Sequence, residues 1–276
     1  MSLARRHQLI TFFVLAYALS WWPWPLFGNF FGGQPIVAIG PFLAAIIVTA
    51  LIAGTAGLKA LLSRIVRWRV GLGWYAAALG IPVAVYAFAV SLNLVFGASA
   101  STEQQVAGWY LIFPTFAFSL LFPLGGAFGE ELGWRGFALP RVQERLSALY
   151  AALIVGGVIQ TSWHLPIFFW DPSSPPAPLI LGYAGLGILS AWIFNNTRGS
   201  VLLMMVLHAS FNTMAQFLGE IFTGADLVRM SWLLAVGWWV AAIVVVIVAG
   251  PEHLSRKHTK QTPTPAETGT PTPRVA

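Results

Sequence analysis

No cysteine occurs in the chain, which removes thiol nucleophiles, disulfides and thiolate-held zinc or iron–sulfur centres from consideration. Charge is almost as scarce. Only 9% of residues are Asp, Glu, Lys or Arg, against about 25% in a soluble domain, so the chain cannot cover itself with a solvated surface. What it has instead is apolar bulk. Of its 276 residues 57% are hydrophobic, with 13 Trp and 20 Phe, and the mean hydropathy is +0.74. Composition alone points to a multispanning membrane protein. The formal net charge of +6 needs no nucleic acid to explain it, because the placement of the basic residues accounts for it.

A spanning helix takes roughly 20 mostly apolar residues. Eight stretches qualify: 9–27, 36–57, 74–96, 109–135, 148–170, 178–195, 200–218 and 230–249. Their apolar runs are continuous rather than alternating, which selects helices over a barrel. No internal repeat of the transporter kind is visible. The basic start "MSLARRHQ" leads into an apolar run without a small-residue cleavage site, which predicts an uncleaved first span. Eight spans put both termini on one side, and that side then receives all but Arg229 of the 15 Lys and Arg. Basic loops mark the cytoplasm. The expectation is an all-α polytopic protein of the cell membrane, about eight transmembrane helices enclosing a polar cavity, with both termini cytoplasmic. Residues 1–250 read as one domain. Residues 58–69 have the spacing of an amphipathic helix lying on the membrane surface. The Pro- and Thr-rich stretch 251–276 reads as a disordered tail.

Few ionisable residues remain inside the eight stretches: Glu130, Glu131, Arg135, His164 and His208. A central charge costs about 2.5–3.5 kcal/mol on insertion scales, and such residues normally face the bundle interior and serve function. Residues four apart share a helix face, so Glu131 and Arg135 form a local ion pair. Glu130 is rotated about 100° from Glu131 and has no counter-ion on its own helix, which makes it the candidate for proton transfer. His208 and Asn212 share a face in the same way. Gly125, Gly126, Gly129 and Gly133 permit close helix approach. At about 1.5 Å per residue, Glu130 lies roughly 8 Å and His208 roughly 12 Å from the cytoplasmic ends of their spans. His164 comes out near 24 Å by the same rise, so its helix must tilt or start later. Taken singly, each His is an ordinary interhelical hydrogen-bonder and Glu131–Arg135 an ordinary interfacial pair. Their joint occurrence in a chain that avoids charge elsewhere favours a site.

Three motifs, "EELGWR" (130–135), "WHLP" (163–166) and "HASFN" (208–212), resemble in order and type the three motifs of the CAAX prenyl protease 2 / bacteriocin-processing family of intramembrane proteases, also called CPBP or Abi. The family pattern is EExxxR, FxxxH and HxxxN/B. "GPFLAA" (40–45) and "RIVRWR" (64–69) are similar to its upstream portion. One departure is visible: Gln160 stands where the second motif has Phe, a change expected to alter the cavity wall.

The resemblance implies an intramembrane endopeptidase that hydrolyses a peptide bond of a membrane-associated or lipidated peptide. Glu130 would activate a water, with His164 helping to hold or deprotonate it. His208 and Asn212 would stabilise the oxyanion, and Glu131 and Arg135 would support the site. A divalent metal such as zinc is a possible cofactor, with Glu130, His164 and His208 as candidate ligands; there is no HExxH, and a Glu–His pair can also activate water unaided. The implied partners are a peptide or protein substrate and the lipid bilayer, without nucleic acid. Two other readings use the same buried cluster: a proton-coupled transporter, and a non-catalytic membrane scaffold or immunity protein. A haem protein with His164 and His208 as axial ligands is a further one.

Overall fold

Every regular element among the described residues is helical. The computed structural model describes residues 7–22, 36–99, 106–123, 126–170, 175–219 and 221–255. Helix α1 spans Gln8–Trp21, α2 Gly40–Ser63, α3 Leu72–Val95 and α4 Ile112–Leu121, the last preceded by a short 3-10 helix. Helix α5 is α-helical over Ala127–Glu131, π-helical over Leu132–Ala138 and α-helical again over Leu139–Gln143. Helix α6 likewise runs from Ala148–Ala152 through a π-helical Leu153–Gln160 to Thr161–Trp163. After it come α7 (Leu165–Trp170), α8 (Pro176–Asn196), α9 (Val201–Leu218) and α10 (Gly224–Ala249).

Among the described residues, α2, α3, α8, α9 and α10 are long and apolar enough to cross a membrane. Three shorter apolar helices stand where the first, fourth and fifth spans were expected, and each differs from the expectation. Helix α1 ends at Trp21, and residues 23–27 lie outside the described residues. The stretch 109–135 is not one span. Phe122 is extended and Gly126 has φ +105°, a left-handed value that only glycine takes without strain, so a new helix starts at Ala127. The stretch 148–170 is interrupted at His164. Pro166 has no N–H to continue the ladder and disfavours helical geometry in the residue before it.

The helices pack through small residues. Helix α8 lies along α10, α1 along α2 and α9 along α3. Where α5 crosses α2, a Cβ on Gly133 would sit 2.5 Å from the Pro41 carbonyl oxygen. Where α6 crosses α8, a Cβ on Gly156 would sit 2.7 Å from the Gly187 Cα. The interior is aromatic, with Phe12, Trp134, Phe137 and Trp163 all inaccessible. Large apolar side chains are instead exposed outside: Leu72, Val95, Phe113 and Ile247 are each at least 75% accessible. That inversion of the soluble pattern fits a lipid-facing belt.

One face of the bundle gathers many helix ends. Arg141, late in α5, donates to Gln8 at the start of α1, and Ser200, before α9, donates to the Arg67 carbonyl after α2. Residues 251–255, expected in the disordered tail, dock on that face. The Glu252 carbonyl accepts from Ala148 N, and the His253 and Leu254 carbonyls accept from Asn195 and Asn196. These bonds cap chain ends that would otherwise be unpaired, so the packed region extends to Ser255; residues 256–276 lie outside the described residues. The surface helix expected over 58–69 is instead the end of α2, which kinks at Gly54 (φ +62°) and stops at Ser63. The Arg64 guanidinium lies 5.7 Å from the Phe194 ring centroid and its carbonyl accepts from Val201 N, which draws this segment into the bundle.

Gly133→Ala forces a methyl into the Pro41 backbone and should cost about 1–3 kcal/mol. Thermal unfolding in detergent should show a lowered Tm. Gly80→Ala, where a Cβ meets nothing within 4 Å, should leave Tm unchanged or slightly raised.

Candidate active site

The break at Gly126 sets the site. It starts α5 so that Glu130 falls in the first turn, where the helix dipole favours a carboxylate. The expectation had Glu130 near the end of a span; it sits near the beginning of α5, which continues to Gln143. At about 1.5 Å per residue, Glu130 is then roughly 20 Å from the far end of α5. The depth conflict with His164 disappears, because the expected span stopped too early at Arg135 and started too far back. Arg135 is 4% accessible, like Glu130, and Glu131 is 2% accessible.

Glu131 Oε1 has two side-chain partners. Arg135 Nη1 donates to it at 3.0 Å and His208 Nδ1 lies 2.7 Å away. Arg135 Nη2 also donates to Ser190 Oγ at 3.3 Å, and Ser190 in turn donates to the Leu186 carbonyl at 2.8 Å. One carboxylate thus ties α5 to α9, with a branch to α8. Helical spacing alone separated Glu130 from Glu131, yet both reach His208. The imidazole stands across the first turn of α5 and offers one nitrogen to each, with Nε2 3.9 Å from Glu130 Oε1. That gap is too wide for a direct hydrogen bond.

His164 comes from the interruption before Pro166. Its Nδ1 is 2.7 Å from the Gln160 carbonyl oxygen. A carbonyl only accepts, so Nδ1 carries the proton and Nε2 is left for the cavity. The ring stacks on Tyr183, centroids 5.0 Å apart and planes at 20°, and meets Trp163 edge-on at 4.8 Å. Gln160 does more than form the wall: its Nε2 donates to Glu130 Oε2 at 3.1 Å. The departure from the Phe of the motif was the signal for this residue, though not for its partner. Asn212 donates to Ser119 Oγ at 3.1 Å. A Cβ on Gly126 would come within 2.9 Å of the Asn212 amide nitrogen, so glycine there serves both the turn and the close approach.

All six expected site residues, Glu130, Glu131, Arg135, His164, His208 and Asn212, line one cavity of about 390 Å³, within the range of small-ligand pockets. Tyr183 and Ser190 line it too. The sixth expected span had no acidic, basic or histidine residue, so the pattern of buried charge did not point there. Among the described residues no group of three His, Asp or Glu is disposed to hold a metal ion. His164 and His208 are anchored to protein groups through Nδ1 and Glu130 through Oε2, so Nε2 of each ring and Oε1 of Glu130 are the atoms that would ligate one.

Residues 112–214 match the family model for the Type II CAAX prenyl endopeptidase Rce1-like proteins. That segment runs from the start of α4 into α9 and contains all six site residues. The chain is also 30% identical over 139 residues to CAAX prenyl protease 2 of Methanococcus maripaludis, covering 47% of this chain and 51% of that protein. It therefore spans about half the length of the curated relative that it matches.

Removing Arg135 strands a buried carboxylate. Arg135→Leu should lose about 3–5 kcal/mol of stability, read as a drop in Tm, and the added change Glu131→Gln should recover a substantial part. An additive double variant would contradict the pairing.

Proposed function

We propose that the chain is an intramembrane endopeptidase of the Rce1-like type II CAAX prenyl endopeptidase kind, which its matches support, and that Glu130 activates water against a peptide bond. The observation that carries this reading is the convergence of the three motifs on one buried cavity, with two imidazoles each anchored through Nδ1. The nucleophilic water sits in the 3.9 Å gap between Glu130 Oε1 and His208 Nε2, a separation that calls for a bridging water. His164 Nε2 accepts its second hydrogen. As the water oxygen bonds to the carbonyl carbon, its proton passes to Glu130. The oxyanion takes hydrogen bonds from Asn212 Nδ2 and from His208 Nε2–H in the doubly protonated ring. The proton on Glu130 then goes to the amine nitrogen as the C–N bond breaks. Gln160 holds the other oxygen of Glu130 and keeps its carboxylate plane fixed. Glu131 and Arg135 position His208 without touching substrate.

The substrate class follows from the setting. A cavity within apolar helices receives a peptide that is already at the membrane, and the family points to one bearing a lipidated C-terminal motif. The crowding of basic residues on the face that gathers the helix ends supports a cytoplasmic position for both termini.

In a cleavage assay with a farnesylated CAAX peptide, Glu130→Gln should lower turnover about 100- to 10,000-fold while the purified protein keeps its Tm. Undiminished turnover would sink the assignment. Asn212→Ala should lower kcat about 100- to 1,000-fold. Gln160→Leu removes one hydrogen bond to a charged group and should lower kcat about tenfold or more with KM little changed; a pure KM effect would assign Gln160 to substrate contact.

A further inference from the structure

The cavity has a closed end and an open end, and the accessibility of its lining tells them apart. Met204, Leu207 and Ser190 are each at most 3% accessible. At about 1.5 Å per residue they lie roughly 5–9 Å from the start of α9 or the end of α8. Gly126, His164, Tyr183 and Asn212 also line the cavity and are partly accessible. Measured in the same way along α5, α6, α8 and α9, they stand roughly 16–26 Å from the ends that those helices have on the same face. Exposure therefore rises with distance from the face where α5 and α8 end and α6 and α9 begin. That face is sealed by chain. Val201 N donates to the Arg64 carbonyl at 3.0 Å and Ser200 Oγ to the Arg67 carbonyl at 2.7 Å, which lays the α2–α3 connection against the α8–α9 connection.

The charge of the connections divides the same way. On the sealed face, Arg64, Arg67 and Arg69 lie between α2 and α3, Arg145 between α5 and α6, and Arg198 between α8 and α9. The connections of the other face join α1 to α2, α3 to α4, α7 to α8 and α9 to α10. They contain Glu103, Asp171 and Glu220 and no Lys or Arg. Orientation follows the Lys and Arg of short connections whatever those side chains contact in the folded protein, and the basic side stays in the cytoplasm. The sealed face is thus the cytoplasmic one, and the open end of the cavity points away from it.

We propose that the cavity opens to the extracytoplasmic side of the membrane and receives a peptide segment that has been carried across it. A translocation step must then supply the substrate, and cleavage follows that step. An entering peptide meets Gly126, His164 and Asn212 first. Glu130 lies one helical turn deeper than Gly126, about 6 Å along α5, so the scissile bond reaches it without crossing the whole bundle. That the occupant is a peptide rests on the peptidase reading; the side on which the cavity opens rests on exposure and charge alone.

The chain has no cysteine, so a single introduced thiol reports alone. The full chain is expressed in bacterial cells, and spheroplasts are treated with a membrane-impermeant maleimide before and after permeabilisation. Ile167→Cys and Phe211→Cys place the thiol on the partly accessible cavity lining. Arg145→Cys marks the sealed face and Thr223→Cys, exposed before α10, the other face. Each variant is first checked for an unchanged Tm, and either lining position suffices if the other misfolds. Thr223→Cys and the lining thiols should label in intact spheroplasts, and Arg145→Cys only after permeabilisation. Lining thiols that label only after permeabilisation overturn the proposal, whichever control they accompany. Labelling of Arg145→Cys in intact spheroplasts overturns it as well, because the sealed face is then outside. None of these outcomes bears on peptide cleavage, which the Glu130→Gln assay tests separately.

Discussion

The structure turns on a single buried oxygen. Glu131 Oε1 accepts from Arg135 and is paired with His208, in a bundle whose interior offers little else to a charge. An ion placed there carries a desolvation cost of several kcal/mol that only close, hydrogen-bonded partners offset. The partners arrive from α5 and α9, with α8 reached through Ser190. Glycine at 136, where a Cβ would come within 3.1 Å of Val201, lets α5 approach α9, while Gly133 and Gly156 let α5 touch α2 and α6 touch α8. Packing and electrostatics are therefore one problem in this protein. Loosening the helix contacts exposes the clamp to poor geometry, and breaking the clamp leaves a charge that packing cannot accommodate.

From that clamp the division of labour between two neighbouring glutamates follows. Glu131 meets both Arg135 and His208 on one oxygen. Among the described residues Glu130 meets the Gln160 amide at hydrogen-bond distance through Oε2 and stands 3.9 Å from His208 through Oε1, so one of its oxygens is left to the cavity. The two imidazoles follow a common rule with different anchors, a backbone carbonyl for His164 and a carboxylate for His208. Each anchor settles which nitrogen is spent on the scaffold. Both helices that deliver the first two motifs contain π-helical turns, which widen the helix and recur at functional sites. Here one of them ends at Gln160, the residue that links Glu130 to the His164 backbone contact.

The periphery obeys the same economy of charge. Arg229, the one basic residue assigned to the opposite side, is neutralised by Asp226 at 2.7 Å and bound to Asn93 Oδ1 at 2.6 Å. Across the bundle, Arg141 packs its guanidinium 3.7 Å from the centre of the Phe137 ring and donates to the Phe137 carbonyl. These contacts let cations sit at helix ends without disturbing the apolar belt between them.

Composition and run length by themselves determined the class of fold, since so few charges cannot clothe a soluble domain. Spacing determined the Glu131–Arg135 pair, because four residues along a helix bring side chains together whatever surrounds them. The six polar residues were legible as a set for the same reason: each is costly in the membrane unless it meets the others. Tertiary structure alone decided how they meet. That both glutamates reach one imidazole depends on where α9 crosses α5. That Glu130 opens a helix depends on Gly126 and the extended Phe122, within a run that hydropathy reads as continuous. Gln160 as a donor to Glu130, and Ser190 as a prop for Arg135, rest on contacts 30 and 55 residues apart in the chain. Local pattern records what a residue can offer to a bond, and only the packed bundle selects the partner that receives it.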